Sequence, residues 1–321
     1  MEYAESMPEK KLRFKQIEAP IADHCNLRCK SCSHHSPYLA PHFYDLGRFS
    51  KDVQALSNVC ELDDLLLIGG EPLINPHIDD YLAAARDSGV AKNYGVVTNG
   101  ILLHRMTNRF FELVDFILVS AYPATSPSRK AVDELMLARA HQFSFKYNVN
   151  NMDSFYNIET PKLSESEAQR SFDGCRRRVH MPLIHSGFFY KCMRPPTTRE
   201  YLESHKMCEE VPDFASIDGV SLDTENLLSA LKDYMHDSGA LQSCSFCQLG
   251  IRDSYMNTPY HRARRMVRRI PLLGDMVSAN SFMMKLERSF DSKISPPESA
   301  IENPVPVHQH EMMDRRECEP R

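Results

Sequence analysis

The chain of 321 residues has no long hydrophobic run. Its longest apolar stretches, LLLI at 65–68 and VDFILV at 114–119, fall far short of the ~20 residues that cross a bilayer. It has no secretory signal, because the opening MEYAESMPEKKLRFK is of mixed charge and lacks an apolar segment. It has no excess of positive charge: 38 Lys and Arg stand against 43 Asp and Glu, a net charge of -5. Neither nucleic acid nor an anionic membrane is an expected partner. No internal repeat is visible. These absences point to the cytoplasm, where the ten cysteines are expected to be metal ligands or reactive thiols rather than disulfides.

Hydrophobic residues make up 42% of the chain, enough for one large domain or one domain with a smaller partner. FKQIEAPIA (14–22) reads as a strand, 48–60 as a helix, and DLLLI (64–68) as a buried strand ending in Gly-Gly. An amphipathic helix at 77–89 closes on Gly89. Then come a strand at 93–100, a helix in NRFFELV, a strand at 116–122, a helix at 128–141 and a strand at 143–149. Strand-helix alternation with short connections predicts an α/β fold on a parallel sheet. About five units are too few for a closed eight-fold barrel, so a partial barrel or an open sheet is expected. Past 150, TPKLSESEAQRS reads as a polar connector, with helices expected at 223–237 and 260–270. From about 291 the chain is rich in proline and charge and is expected to be disordered.

HCNLRCKSC places Cys25, Cys29 and Cys32 in one loop directly after the first strand. Three thiolates can hold three irons of a cubane cluster and leave the fourth iron open to a small molecule, whereas ferredoxin runs supply four. A structural zinc site would also need four ligands, which His24, His34 or His35 could complete.

The spacing Cys-x3-Cys-x2-Cys resembles that of the radical S-adenosylmethionine (SAM) superfamily. Three further features share the resemblance: GGEP (69–72) after the second strand, VTNG after the next, and Ser120 ending FILVS. The match covers about 14–150. Ser31 stands where the family often has an aromatic residue before the third cysteine. The resemblance implies a [4Fe-4S] cluster on Cys25, Cys29 and Cys32, with its open iron chelating SAM. It also implies SAM contacts at Gly69, Gly70, Glu71, Asn99 and Ser120, with the glycine backbone close to the methionine moiety and Glu71 near the ammonium. Thr98 has turn formation as its simpler role. In the family, one-electron cleavage of SAM yields a 5'-deoxyadenosyl radical that removes a hydrogen atom from the substrate.

Cys175, Gly187 and Cys192 form Cys-x11-Gly-x4-Cys, and CSFC supplies Cys244 and Cys247. This resembles the accessory domain called SPASM in its longer form and Twitch in its one-cluster form. The resemblance implies a second, fully ligated cluster on Cys175, Cys192, Cys244 and Cys247. Four cysteines also suit zinc. Cys60 is expected to be a core residue and Cys318 incidental. Cys208 is a candidate hydrogen-atom donor, cluster ligand or structural residue. The basic run HRARRMVRR (261–269) and HQHE (308–311) are expected to be solvated, and His34 and His35 are candidates for substrate contact.

The expected organisation is an extension at 1–13, a radical SAM core at 14–155, a Twitch-like domain at 156–250, helices at 251–290 and a tail at 291–321. The resemblance is to small dehydrogenases and epimerases acting on aminocyclitols and sugars in antibiotic pathways. It implies a carbohydrate-like substrate, oxidised or epimerised, and an electron donor of flavodoxin or ferredoxin type. The 13 residues before the first strand are expected to leave no room for the leader-binding domain of a peptide maturase, which is the second enzymatic reading. A protein that holds a cluster or zinc without catalysis is the third.

Overall fold

The structure, a computed structural model, describes residues 11–29, 31–122, 129–152, 158–208 and 210–249. The expected helix at 260–270, the tail and Cys318 lie outside the described residues. The elements run β1 (Leu12–Ala22), α1 (Leu46–Val59), β2 (Cys60–Gly69), α2 (Ile78–Ser88), β3 (Ala91–Thr98), α3 (Asn108–Leu113), β4 (Phe116–Ala121), α4 (Arg129–Phe143) and β5 (Lys146–Asn151). They continue with α5 (Glu165–Asp173), α6 (Arg177–His180), β6 (Leu183–His185), β7 (Phe188–Tyr190), α7 (Pro195–His205), α8 (Phe214–Ile217), β8 (Val220–Ser221) and α9 (Leu227–His236). Among the described residues no helix is long and apolar enough to cross a membrane.

All eight strands form one sheet in the order β5-β4-β3-β2-β1-β6-β7-β8. Every pairing from β5 to β6 is parallel, and β6–β7 and β7–β8 are antiparallel. β5 and β8 are the two edges, so the sheet is open, as a partial barrel is. The sheet also continues beyond β5: β6 pairs with β1 through Glu18 and Leu183, so the later cysteines are carried by segments that extend the same sheet.

Side chains alternate across each strand. Ile17, Ala19, Ile21, Leu65, Leu67, Val96, Ile117, Val119 and Val149 face the helices and form the main core with Phe49, Leu56, Leu82, Phe110 and Phe111. The opposite face carries Gln16, Glu18, Leu66, Val97, Leu118 and Ser120, which are in register with one another through the pairings Glu18–Leu66, Val97–Leu118 and Ser120–Asn150. Parallel strands put all their carboxyl ends on one rim, so Ala22, Gly69, Thr98 and Ala121 end side by side. That rim is where α/β ligand sites gather.

Two local readings need correction. FSFKYNV does not begin a strand at 143. Helical bonding in α4 continues to Ser144, whose N–H donates to the Ala140 carbonyl at 2.9 Å, and Ser144 turns at φ 60 before β5. The connector TPKLSESEAQRS contains α5. Its start is fixed by Ser164, whose N–H and hydroxyl donate to the Glu167 carboxylate at 3.0 and 2.7 Å, the Ser-x-x-Glu signal of a helix start.

The β6–β7 turn is fastened to α1 by Asp52, which is 1% exposed. Its carboxylate accepts from the Tyr44 hydroxyl, from Arg48 Nε at 2.8 Å and from the Gly187 N–H at 2.9 Å. Arg48 also donates to Asp223 at 2.6 Å. Removing the carboxylate takes this acceptor from two buried donors, the Tyr44 hydroxyl and the Gly187 N–H. Asp52→Ala is therefore expected to cost about 3 kcal/mol, read as a lower urea midpoint with an unchanged slope.

Candidate functional site

β1 is buried along its last seven residues and delivers the chain to the rim at Asp23. The cysteine loop begins there and is pinned by the Gly-Gly turn at the end of β2. Gly70 N–H donates to the Ala22 carbonyl at 2.7 Å, and Glu71 N–H donates to the His24 carbonyl at 3.1 Å. A Cβ on Gly69 would lie 2.2 Å from the Ala22 carbonyl oxygen, and one on Gly70 would lie 2.3 Å from that of His24. The room that glycine leaves is therefore filled by the loop's own backbone.

Glu71 has no exposed surface. Its carboxylate accepts from Leu73 N–H at 3.1 Å, Thr98 Oγ1 at 2.6 Å and Asn99 N–H at 2.8 Å. It thus clasps the ends of β2 and β3 together. Burial pushes it up to about 7, against the pull of these donors. Asn99 carries the connection to the loop: its Nδ2 donates to Asn26 Oδ1 at 2.7 Å and stands 3.8 Å from Cys25 Sγ. Thr98 braces the turn by accepting from Gly100 N–H at 3.0 Å. Ser120 is partly exposed on the inner sheet face, paired in register with the buried Asn150.

The three loop thiols feel one another. Burial, then the charges of Glu71 and Cys32, push Cys25 up to about 12, with the Leu27 N–H 3.3 Å from its sulfur pulling the other way. Burial, then Cys32 and Cys25, raise Cys29. Burial raises Cys32, opposed by hydrogen bonds from His34 and Ser36. Thiols that resist ionisation together give up their protons to a bound cation.

The second set lines one cavity. Cys175, Cys192, Cys244 and Cys247 meet there with Ser33 and Arg194. Cys175 follows α5, Cys192 follows β7, and Cys244 lies in the 3-10 turn Gln242–Phe246, just before Cys247. Burial, then Cys175, pushes Cys192 up to about 12. Burial and its neighbours also raise Cys175 and Cys244. All four cysteines thus line a common space. Zn–S bonds near 2.3 Å hold tetrahedral sulfurs about 3.8 Å apart. Among the described residues no three cysteines have their sulfurs within 4.8 Å of one another, so both sets are spread wider than a zinc ion needs. A cubane cluster, with ligands on separate irons, fits such spread sets.

A buried polar link runs between the two sets. His35, fully buried, is hydrogen-bonded through Nδ1 to the Thr197 carbonyl at 2.9 Å. Its Nε2 lies 2.6 Å from Arg194 Nη1 and 3.3 Å from Glu159. Burial, then Arg194, pushes His35 down to about 4, so Nε2 accepts from the guanidinium. Its ring stacks on Tyr201 at 4.5 Å. His35 therefore packs and bonds within the protein. Arg194 lines the four-cysteine cavity, Glu159 bridges to Cys247 through backbone, and Ser33, next after Cys32, lines the same cavity. His34 is pushed down to about 4 by burial, then by Arg177. Cys208 packs partly buried with Leu202, Phe214 and Phe246.

Several residues here were not singled out by sequence reasoning. Glu18 lies on the inner face of β1, pushed up to about 7 by burial despite the nearby Arg177. Asn150 has a buried Nδ2 without a hydrogen-bond partner among the described residues. The signal for Glu18 was present: Gln16 and Glu18 interrupt a strand whose alternate residues, Ile17, Ala19 and Ile21, are all apolar and buried. Glu159 and Arg194 carried no such signal.

No protein-family model matches the chain, nor does any curated sequence. Among solved structures the fold is similar to BtrN in complex with AdoMet and 2-DOIA, with 15% identity over 74% of this chain and 86% of that one and a TM-score of 0.47. It is also similar to anSMEcpe with bound AdoMet, at 12% identity, 75% and 84% coverage and a TM-score of 0.44. A third is Streptococcus suis SuiB bound to S-adenosylmethionine, at 12% identity, 56% and 60% coverage and a TM-score of 0.36. At TM-scores below 0.5 these likenesses are distant, and they fix neither substrate nor reaction.

Proposed function

We propose that the chain is a radical SAM enzyme that oxidises a carbon of a sugar or aminocyclitol. The observation that carries this reading is the junction of three strand ends. The three-cysteine loop, Gly69-Gly70-Glu71 and Thr98-Asn99 are hydrogen-bonded into one unit on one rim, beside a separate cavity lined by four cysteines. Cys25, Cys29 and Cys32 would hold a [4Fe-4S] cluster with one iron left for SAM. Gly69, Gly70, Glu71, Asn99 and Ser120 would form the SAM pocket, and Cys175, Cys192, Cys244 and Cys247 would hold a second cluster. Bound, these groups supply one-electron chemistry: removal of a hydrogen atom, and then of one further electron, from a substrate carbon.

The chain's own residues bind and orient the substrate and handle its proton. Ser120, Asn150, Glu18 and Arg177 offer donors and acceptors suited to the hydroxyls and amines of a polyol. Oxidation of an alcohol also releases a proton. Glu18, pushed up to about 7 by burial and lying on the inner face, is the group that would accept it at its carboxylate, since an acid-base group works best near the operating pH. Oxidation is favoured over epimerisation because the four-cysteine cavity, holding a cluster, would accept the electron left on the substrate carbon.

Anaerobic reconstitution followed by reduction with SAM present is expected to yield 5'-deoxyadenosine, and Cys25→Ala should bring that yield to background. No deoxyadenosine from the wild type would contradict the reading. With a sugar substrate in deuterated water, a carbonyl product without solvent deuterium is expected. An isomeric product carrying solvent deuterium would mean epimerisation instead.

Glu18 also predicts a pH dependence of stability. Its folded value lies above the unfolded one, so its contribution is complete below about pH 4.5 and is lost as pH rises through about 7. Glu18→Gln removes this loss. The variant is expected to match the wild type near pH 5 and to exceed it by about 2–3 kcal/mol at pH 8, read by urea unfolding at the two pH values.

A further inference from the structure

We propose that Asp23, His42 and His185 form a binding site for one divalent metal ion of the zinc class, separate from both cysteine sets. Asp23 Oδ2 lies 2.8 Å from His42 Nδ1, and Asp23 Oδ1 lies 2.9 Å from His185 Nε2. The three ligand atoms all lie within 4.8 Å of one another, and among the described residues this is the single set of His, Cys, Asp or Glu side chains that converges so closely. Bonds of 2.0–2.1 Å to nitrogen and carboxylate oxygen place neighbouring ligand atoms about 2.9–3.4 Å apart. The Asp23–histidine spacings, 2.8 and 2.9 Å, fall just below and at the short end of that range.

Backbone fixes all three donors. Asp23 directly follows β1, and its N–H donates to the His42 carbonyl at 3.0 Å. Ala22 and Phe43 form a β-bridge beside it. His185 is the last residue of β6, paired with Phe188 of β7. The site therefore joins the first residue of the cysteine loop to the later half of the sheet. Two imidazoles and a carboxylate suit a borderline divalent ion such as Zn²⁺. The His42 side chain is 51% exposed, against 13% for His185 and 14% for Asp23. The ion would be open to water on the His42 side, giving three protein ligands and an open position.

A second observation points the same way. Glu200, on α7, lies within electrostatic range of Asp23. Its Oε2 is buried and has no hydrogen-bond partner among the described residues. A cation bound at Asp23 would also offset the charge of this buried carboxylate.

The test is zinc binding by the full chain with its cysteine sets occupied. Anaerobically reconstituted protein, stripped of loose metal, is titrated with Zn²⁺, and bound zinc per chain is counted by mass spectrometry. The wild type is expected to bind one more zinc than His42→Ala and than His185→Ala, with affinity at least ~100-fold weaker in either variant. Zinc should raise the Tm of the wild type and not that of His42→Ala. Equal zinc counts in the wild type and His42→Ala would overturn the site, including the case in which neither binds any. His42 is half exposed, so that variant keeps the question decidable if His185→Ala does not fold. Comparing counts on one preparation also separates this outcome from failure of the cluster reading, since the cysteines are unchanged in every variant.

Discussion

Two backbone hydrogen bonds, from Gly70 to Ala22 and from Glu71 to His24, are what the rest of the site depends on. They require the end of β2 to lie against the start of the cysteine loop so closely that a single Cβ on either glycine would enter a carbonyl oxygen. Once that contact is made, Glu71 has no path to water. It must find its acceptor duties inside, and it does so at Leu73, Thr98 and Asn99. Asn99 then reaches back to Asn26 in the loop. The loop, the Gly-Gly turn and the Thr-Asn-Gly turn become one unit, and the cysteines are placed by three strand ends. In this account the motif residues serve first to build the loop's support, and ligand contact is added to that frame.

The two cysteine sets differ in construction. The first is local, three sulfurs within eight residues on a loop braced from below. The second gathers sulfurs from four points between 175 and 247 and encloses them in a cavity. Between them the buried His35–Arg194–Glu159 link holds the cysteine loop against the wall of the second cavity, with Ser33 shared between the two. A charged pair buried this deeply is costly unless its members are bonded; Arg194 donates through Nη1 to His35 and through Nη2 to the Phe246 carbonyl, with its Nε alone unpartnered among the described residues.

Much of the parallel sheet was legible because its strands are apolar runs that end in glycine or a turn, separated by helices with their own caps. The chemistry of the rim was legible because its groups are short contiguous motifs. The remainder was hidden for physical reasons. β6, β7 and β8 span three, three and two residues, too short for any periodicity to show. α5 announced itself only through Ser164 and Glu167 inside a polar stretch. Asp52 looks like an ordinary surface position of α1 until the β6–β7 turn arrives from residue 187. Asp23 meets partners 19 and 162 residues away, a convergence that only the pairing of β1 with β6 creates.

The central claim is that one cysteine set leaves a metal position for SAM and the other does not. Electron paramagnetic resonance of the reduced, reconstituted full chain tests it directly, by adding SAM to the wild type and to the Cys25→Ala/Cys29→Ala/Cys32→Ala variant. The account predicts that SAM changes the wild-type spectrum and leaves the variant's remaining signal unaltered. A wild-type spectrum indifferent to SAM, or a variant signal that responds to it, would contradict the account.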